Sequence, residues 1–255
     1  MKEDSLLLTR AKALKLYGLI AHWDELANQE WVRSLIAWEE EERVQRSLKR
    51  RLDAAKLGEF KLLHEFDWSW PRKCDREAIE EHMGLDFISK ATNIIFCGPN
   101  GVGKSMLASN IAYQAVLQGY SALLITASQM LNDLTAQNSD TTLQKRIKYY
   151  VKPQVLYIDE VGYLSYSNRH ADLMFTIISN RYRLKPTIIT TNKPFNEWNE
   201  IFPNASCVIS LIDRLTHNCE TILIDADSYR VKEAKEQAAK RKQARSKPKK
   251  PSKEK

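Results

Sequence analysis

The sequence of 255 residues has few of the features that mark secreted or membrane proteins. Its four cysteines are scattered and lack the short paired spacings of a zinc site or a disulfide framework: Cys74, Cys97, Cys207 and Cys219. No apolar run approaches the roughly 18 residues needed to cross a membrane, and the first residues carry acids where a signal peptide carries bases. We therefore expect a soluble, cytoplasmic protein with reduced thiols and no membrane partner.

An excess of charge of one sign is also lacking over most of the chain. The net charge is +7, but residues 231–255 hold 11 Lys/Arg and three Glu, which leaves 28 basic and 29 acidic side chains on residues 1–230. The basicity thus belongs to a C-terminal tail, residues 231–255. We expect a helical start at 231–244 and disorder over the rest of residues 240–255. The tail would serve either solubility or attraction to nucleic-acid phosphates.

Glycine and β-branched residues are sparse in the first part of the chain. Leu7, Ala11 and Leu14 fall near helical spacing, which predicts an all-helical N-terminal domain over residues 1–70 that ends near the break Trp68-Ser69-Trp70-Pro71. This domain would contact DNA, a partner or another copy. Four acids precede a run of bases, an order that favours a solvated helix with i,i+4 pairs, while a nucleic-acid face is the alternative for Arg43, Arg46, Lys49, Arg50 and Arg51.

From residue 93 onward, short apolar runs alternate with longer amphipathic segments. Such alternation predicts an α/β domain over residues 71–230, with a parallel sheet covered by helices on both faces. The expected strands are 93–97, 121–126, 154–158, 187–191 and 221–225.

A glycine-rich turn follows the first of these strands and leads into a predicted helix at 106–118. Its glycines let the backbone N–H groups point inward at phosphate oxygens, and the helix adds its positive N-terminal end. Lys104 is expected to reach the β- and γ-phosphates of a nucleotide, and the Ser105 hydroxyl to bind Mg²⁺. The expected ATP-binding residues of the turn are Gly98, Pro99, Asn100, Gly101, Val102, Gly103, Lys104, Ser105 and Met106.

Polar side chains also follow two later strands. Asp159 is placed to hold Mg²⁺ together with Ser105, and the adjacent Glu160 to polarise an attacking water. A kinase that transfers phosphate to another acceptor does not need Glu160 there, so hydrolysis is favoured over phosphotransfer. Asn192, after the strand at 187–191, is expected to hold the water opposite Glu160.

The order of these motifs, followed by Asp213-Arg214-Leu215 and Ser228-Tyr229-Arg230, resembles the AAA+ ATPases over nearly the whole chain. Within them it looks most like the IstB-type transposition helpers and the related DnaC-type helicase loaders. The resemblance implies ATP and Mg²⁺ as cofactors, Asn192 as sensor 1 and Arg230 as sensor 2. It also implies a homo-oligomer with ATP at subunit interfaces, where Arg214 acts as a finger on a neighbour's nucleotide.

Two details limit this resemblance. Only 25 residues follow Arg230, so a full C-terminal helical lid is not expected. For Arg214, an ion pair with Asp213 or a nearby acid is the alternative to a finger.

A run of bases and aromatics precedes the acidic pair. Lys145, Arg146 and Lys148 are the candidate contacts to DNA phosphates, and a solvated helix face is the alternative. Together these features favour an ATPase that assembles on duplex DNA, with little sequence preference, and assists a separate transposase. A replicative helicase loader is the alternative function, and a small-molecule kinase is disfavoured by Glu160, Asn192 and the late arginines.

Overall fold

The computed structural model describes residues 2–203 and 206–246. Contacts divide the chain into two units, Met1–Asp53 and Ala54–Lys255. The division falls earlier than the break expected near residue 70, because residues 57–70 pack on the second unit. Leu63 N–H, for example, donates to Asn110 Oδ1 at 2.9 Å, and the Phe66 ring lies against Gly103.

The first unit is all helical, as the sequence predicts. It comprises α1 (Lys2–Ala13), α2 (Tyr17–Ala21), α3 (Trp23–Leu26) and α4 (Glu30–Ala55), the last of which continues past the unit boundary. Arg10 fastens α1 to α4 through two bonds to the Glu40 carboxylate, at 2.9 and 2.6 Å. The predicted i,i+4 pairing is confirmed between Glu39 and Arg43, at 3.8 Å. The apolar core contains Leu7, Ala11, Leu14, Leu19, Val32 and Ile36.

The second unit alternates helices with strands. Its strands are β1 (Asn93–Cys97), β2 (Ala122–Thr126), β3 (Val155–Val161), β4 (Thr187–Thr191) and β5 (Cys219–Leu223). Its helices are α5 (Arg76–Met83), α6 (Asp86–Ser89), α7 (Lys104–Leu117), α8 (Ala127–Thr135), α9 (Asp140–Val151), α10 (Asn168–Arg181), α11 (Trp198–Ile201), α12 (Val208–Thr216) and α13 (Tyr229–Ser246). Short 3₁₀ turns lie at Leu63–Glu65 and Phe195–Glu197.

The strands form one parallel sheet in the order β2-β3-β4-β1-β5. The crossover from β1 to β2 runs along the sheet in the direction opposite to the later ones. Right-handed crossovers therefore place α7 on one face and the later helices on the other. The main apolar core agrees, since it joins the strands to residues of α8, α9, α10, α11 and α12. The α/β fold with helices on both faces is thus confirmed.

Several element boundaries differ from expectation. β3 continues to Val161, and β5 begins two residues earlier than expected, at Cys219. α13 runs from Tyr229 to Ser246 and thus extends two residues beyond the helical start expected at 231–244. The reason lies in the composition of α13, which has neither Gly nor Pro and is rich in Ala, Lys, Arg, Glu and Gln, all of which favour helices. The rest of the predicted disorder, at 247–255, lies outside the described residues. No helix within the described ranges is long and apolar enough to cross a membrane.

The buried guanidinium of Arg181 connects the N-terminal ends of β3 and β4 to α10. It is 1% exposed and donates to Thr187 Oγ1 at 3.1 Å and to four carbonyl oxygens, those of Val151, Pro153, Gln154 and Pro186. Burial lowers the pKa of Arg181 to about 9. These acceptors satisfy the buried donors, as a buried guanidinium requires. This role was not predictable from the sequence, because an arginine at the end of a helix is usually exposed.

Candidate functional site

The glycine-rich turn joins β1 to α7 in a conformation that requires its glycines. Gly101 and Gly103 have φ values of +79° and +101°, which residues other than glycine rarely adopt. A Cβ on Gly98 would lie 2.1 Å from the Ile224 carbonyl oxygen, and one on Gly101 would lie 2.3 Å from Ser228 Oγ. The turn is therefore packed against the chain that follows β5, and its shape fits the phosphate loop expected from the sequence.

Lys104 is the first residue of α7 and is almost completely buried, at 4% exposure. Its ammonium group donates to the carbonyl oxygens of Gly98 and Pro99, at 2.8 and 2.7 Å. Burial lowers the pKa of Lys104, and the neighbouring Arg230 acts in the same direction, while Asp159 and Glu160 oppose them. The turn thus holds a cation at the base of the cleft that it lines.

Hydroxyl groups converge on Asp159 at the end of β3. Ser105 Oγ donates to Asp159 Oδ1 at 3.0 Å, Tyr157 OH donates to the same oxygen at 2.8 Å, and Thr190 Oγ1 donates to it as well. Burial, followed by the charge of Asp159, raises the pKa of Tyr157, so its hydroxyl stays protonated as a donor. Ser105 and Asp159 therefore lie together, and their oxygen atoms are ligands that fit Mg²⁺.

Glu160 lines the same cleft as Lys104, Ser105 and Asp159. Its φ is +61°, a left-handed conformation that is uncommon outside glycine, and its backbone N–H donates to Thr190 Oγ1 at 3.0 Å. Unusual backbone geometry of this kind is concentrated at functional sites. Burial raises the pKa of Tyr163, which also lines the cleft, and the charges of Glu160 and Asp159 raise it further.

Asn192 follows β4 and lies beside the strand that carries the acids, as expected. Thr191 pairs with Val161, and Asn192 Oδ1 lies so near Gly162 that a Cβ there would approach it to 2.9 Å. This oxygen is buried and, among the described residues, accepts no hydrogen bond. A buried acceptor without a partner is costly, which is consistent with a group that holds a ligand atom or water.

Two further walls of the cleft come from residues 57–70 and from the start of α13, of which only Arg230 was expected at the site. The cleft encloses about 370 Å³, within the usual range for small-molecule sites. One wall, residues 57–70, which we call the cover segment, contributes Phe60, Phe66 and Trp70. Trp68–Pro71 was predicted as a break between domains, although the aromatic residues ahead of β1 were a signal that this stretch is packed.

The start of α13 forms the opposite wall. The backbone N–H of Tyr229 donates to the Gly101 carbonyl oxygen at 2.9 Å, and Arg230 lines the cleft. Lys232 bonds Asp67 at 3.1 Å, and Glu233 bonds Lys61 at 2.6 Å, so α13 and the cover segment meet across the cleft. Arg230 thus lies in the same cleft as Lys104, Asp159 and Glu160.

Arg214 does not line this cleft within its own chain. It donates to Ser179 Oγ, and its guanidinium carbon lies 4.4 Å above the Phe175 ring of α10. The expected alternative, an ion pair with Asp213 or a nearby acid, is not formed by Arg214 among the described residues.

The three candidate DNA contacts on α9 differ in their surroundings. Lys145 and Lys148 are exposed. Arg146 instead forms an ion pair with Asp133 and stacks at 4.4 Å on Tyr149, and Tyr150 also donates to Asp133. Arg146 is therefore tied into a network between α8 and α9, whereas the two lysines face solvent.

The sheet order, the phosphate loop after β1, the acids after β3 and the asparagine after β4 together define an AAA+ nucleotide-binding protein. The family model described as IstB-like ATP binding protein matches residues 5–238. The chain belongs to this family, and its role is that of an ATP-binding AAA+ protein associated with insertion sequences.

Relatives of known name match this sequence along most of their length. The chain is 35% identical over 217 residues to a protein of Geobacillus stearothermophilus named as an ATP-binding protein of insertion sequence IS5376, covering 85% of this chain and 86% of the relative. It is 32% identical over 242 residues to the corresponding protein named for insertion sequence IS21 in Pseudomonas aeruginosa, covering 91% and 90%.

Solved structures share the fold at lower identity. The crystal structure of DnaI matches with a TM-score of 0.54 and 20% identity, over 64% of this chain and 90% of that chain. The replication initiator DnaA bound to AMPPCP and single-stranded DNA matches with a TM-score of 0.51 and 21% identity, over 64% and 50%. These likenesses concern the AAA+ fold.

Proposed function

We propose that this protein hydrolyses ATP, that it assembles on duplex DNA in an ATP-dependent manner, and that the assembly assists a separate transposase. The observation that carries the proposal is the convergence of Lys104, Ser105, Asp159, Glu160 and Arg230 on one cleft. Phosphate-binding cations, metal-binding oxygens and a base for water are the groups that ATP hydrolysis needs.

The residues have distinct roles in this proposal. The loop N–H groups and Lys104 bind the β- and γ-phosphates, and Glu160 and Asn192 orient a water molecule. The water oxygen bonds to the γ-phosphorus, the bond to the bridging oxygen breaks, ADP leaves with that oxygen, and the water proton passes towards Glu160. Ser105 and Asp159 would hold Mg²⁺, which supplies charge neutralisation at the phosphates. Arg230 contacts the nucleotide within the same chain.

Arg214 supports a site shared between copies of the chain. It lies outside its own cleft, on α12, so its action on ATP requires a neighbouring subunit. A guanidinium supplied in trans stabilises charge on the transferring phosphoryl group and makes hydrolysis depend on assembly. The proposed assembly is thus a homo-oligomer with ATP at its interfaces.

The proposed partners, a transposase and duplex DNA, are inferred from the names of the relatives and from exposed basic residues. The relatives are named for insertion sequences, elements whose movement requires a transposase, and no transposase centre is recognisable in this chain. Exposed Lys145 and Lys148, with the 11 Lys/Arg of residues 231–255, provide contacts to DNA phosphates. Such contacts bind without reading sequence, so the assembly should show little intrinsic site preference.

Light scattering with duplex DNA tests this proposal. The protein is mixed with duplex DNA in the presence of ATP, of ADP or of no nucleotide. Large assemblies are expected with DNA and ATP, but not with DNA and ADP or with DNA and no nucleotide. Glu160→Gln should still assemble with ATP but fail to release phosphate, so its assemblies should persist. Assembly that is independent of nucleotide, or that requires a helicase ring instead of DNA, would contradict the proposal and favour the helicase-loader alternative.

Salt dependence tests the DNA face. The double variant Lys145→Ala/Lys148→Ala should reduce the slope of log affinity against log salt by about 2, since each phosphate contact contributes about 1. Lys185→Ala is the matched control, because Lys185 Nζ is bonded to the Val151 and Lys152 carbonyl oxygens. An unchanged slope in the double variant would remove α9 from the DNA face.

A further inference from the structure

The end of β3 has one more residue than the strand beside it. Ile158 pairs with Ile189 and Val161 pairs with Thr191, so Asp159 and Glu160 together lie opposite the single residue Thr190. This arrangement is a β-bulge, a feature that recurs next to active sites because it re-aims side chains.

The bulge brings both acids to the same place. Neighbouring side chains of a regular strand point to opposite faces of the sheet. Here Asp159 and Glu160 both line the nucleotide cleft, and Glu160 takes a φ of +61° to do so. A non-glycine residue rarely holds this conformation unless its surroundings fix it.

The Thr190 hydroxyl makes a bond to each member of the acidic pair. It donates to Asp159 Oδ1 and accepts from the Glu160 backbone N–H at 3.0 Å. A hydroxyl has one proton and two lone pairs, so both bonds form at once. Thr190 is 1% exposed, which keeps this hydroxyl away from bulk water. Ser105 and Tyr157 also donate to Asp159, but their bonds do not extend to Glu160.

We propose that Thr190 is a positioning residue that aims Asp159 at Mg²⁺ and Glu160 at the attacking water through its one hydroxyl. The inference rests on the proposed ATP hydrolysis. Loss of the hydroxyl frees the Asp159 carboxylate to turn and leaves the Glu160 N–H without its acceptor. Metal binding and hydrolysis should then fall together, while the phosphate loop, which binds ATP itself, is unaffected.

Three variants of β4 separate this role from a contribution to folding. Thr190→Val keeps the shape of the side chain without the hydroxyl, and Thr190→Ser keeps the hydroxyl. Thr187→Val is the matched control, since Thr187 is equally buried on the same strand but its hydroxyl accepts from Arg181 at the opposite end. For each variant, calorimetry gives the ATP affinity with EDTA and with Mg²⁺, phosphate release gives kcat and KM, and circular dichroism gives the melting temperature.

With EDTA, Thr190→Val should bind ATP as tightly as the wild type. The gain in affinity on adding Mg²⁺ should fall about 10- to 100-fold, the usual effect of removing a residue that orients a metal ligand. Its kcat should fall as well, and Thr190→Ser should recover most of both quantities. Thr187→Val should keep the wild-type Mg²⁺ gain even where its melting temperature is lower.

A wild-type Mg²⁺ gain and kcat in folded Thr190→Val would overturn the proposal. If that variant does not fold, Thr190→Ala replaces it, and the same difference from Thr190→Ser is expected. If neither folds, the hydroxyl serves the fold and the proposal is wrong. Failure of the proposed function looks different, because the wild type itself would then release no phosphate, while the Mg²⁺ gain of each variant would still be measurable.

Discussion

Asn110 is buried in α7, two turns beyond the phosphate loop, and holds the cover segment in place. Its side-chain oxygen accepts from the Leu63 N–H at 2.9 Å, and its nitrogen donates to the Lys61 carbonyl oxygen at 3.0 Å and to the Met106 carbonyl oxygen at 2.8 Å. At 4% exposure these bonds are shielded from water. Asn110→Ala should therefore loosen the cover segment and weaken ATP binding.

The size of the effect follows from the bonds that are lost. Two backbone groups of the cover segment lose their partners, and a typical hydrogen bond contributes about 1 kcal/mol net. If the loss falls on closure of the segment over the nucleotide, about 2 kcal/mol corresponds to a dissociation constant about 30-fold higher. The Phe66 contact with Gly103 lies farther along the same segment and would weaken with it.

Calorimetric titration with ATP measures this change, and circular dichroism checks that the variant is folded. Asn180→Ala is the matched control, because the Asn180 amide donates to the Thr176 carbonyl oxygen of its own helix on an exposed face. It should bind ATP as the wild type does. Folded Asn110→Ala with wild-type affinity would show that the cover segment does not depend on Asn110 or does not contribute to binding.

Two further predictions concern other parts of the second unit. Arg214→Ala should lower phosphate release by the assembled protein about 1000-fold while leaving ATP binding intact. Ser179→Ala removes only the contact of Arg214 within the chain and should not lower phosphate release. An Arg214→Ala protein as active as the wild type would refute the proposal that Arg214 acts on a neighbour's nucleotide. Burial lowers the pKa of His82, although Glu220 and Glu81 oppose this. The unfolded chain therefore binds the proton more tightly, and the stability contributed by neutral His82 is lost as the pH falls below about 6.5. His82→Leu should show a smaller fall in melting temperature than the wild type between about pH 7.5 and 5.5, and identical falls would contradict this account.

The sequence was most informative where a backbone requirement and a chemical requirement coincide. Gly101, Gly103 and Lys104 could be placed because a phosphate loop needs both its glycines and its cation at fixed spacing. The strands were found from short apolar runs, which are buried on both faces in a parallel sheet. Asn192 could be placed at the same edge of the sheet as the acids, because carboxyl ends of parallel strands share one edge, and the pairing of β3 with β4 brings it beside them.

Contacts between distant segments were not predictable in this way. The bulge at Asp159 and Glu160 depends on the register of β3 against β4, which no local pattern specifies. The five acceptors around Arg181 come from the residues that lead into β3 and β4, so the side chain looks like an ordinary helix-end arginine in the sequence. The cover segment was interpreted as part of an N-terminal domain because its packing partners, α7 and α13, lie about 50 and 170 residues away.

The cleft is closed more firmly on one side than on the other. On the α7 side, the cover segment is held by the hydrogen bonds of buried Asn110 and by the half-buried rings of Phe60 and Tyr113, whose centroids lie 5.5 Å apart. On the α13 side, it is held by the pairs Lys61–Glu233 and Lys232–Asp67, whose side chains are partly exposed to water. Exposed ion pairs contribute little to stability and weaken with salt, whereas buried hydrogen bonds do not. Opening for nucleotide exchange should therefore begin between the cover segment and α13, with α7 as the fixed side.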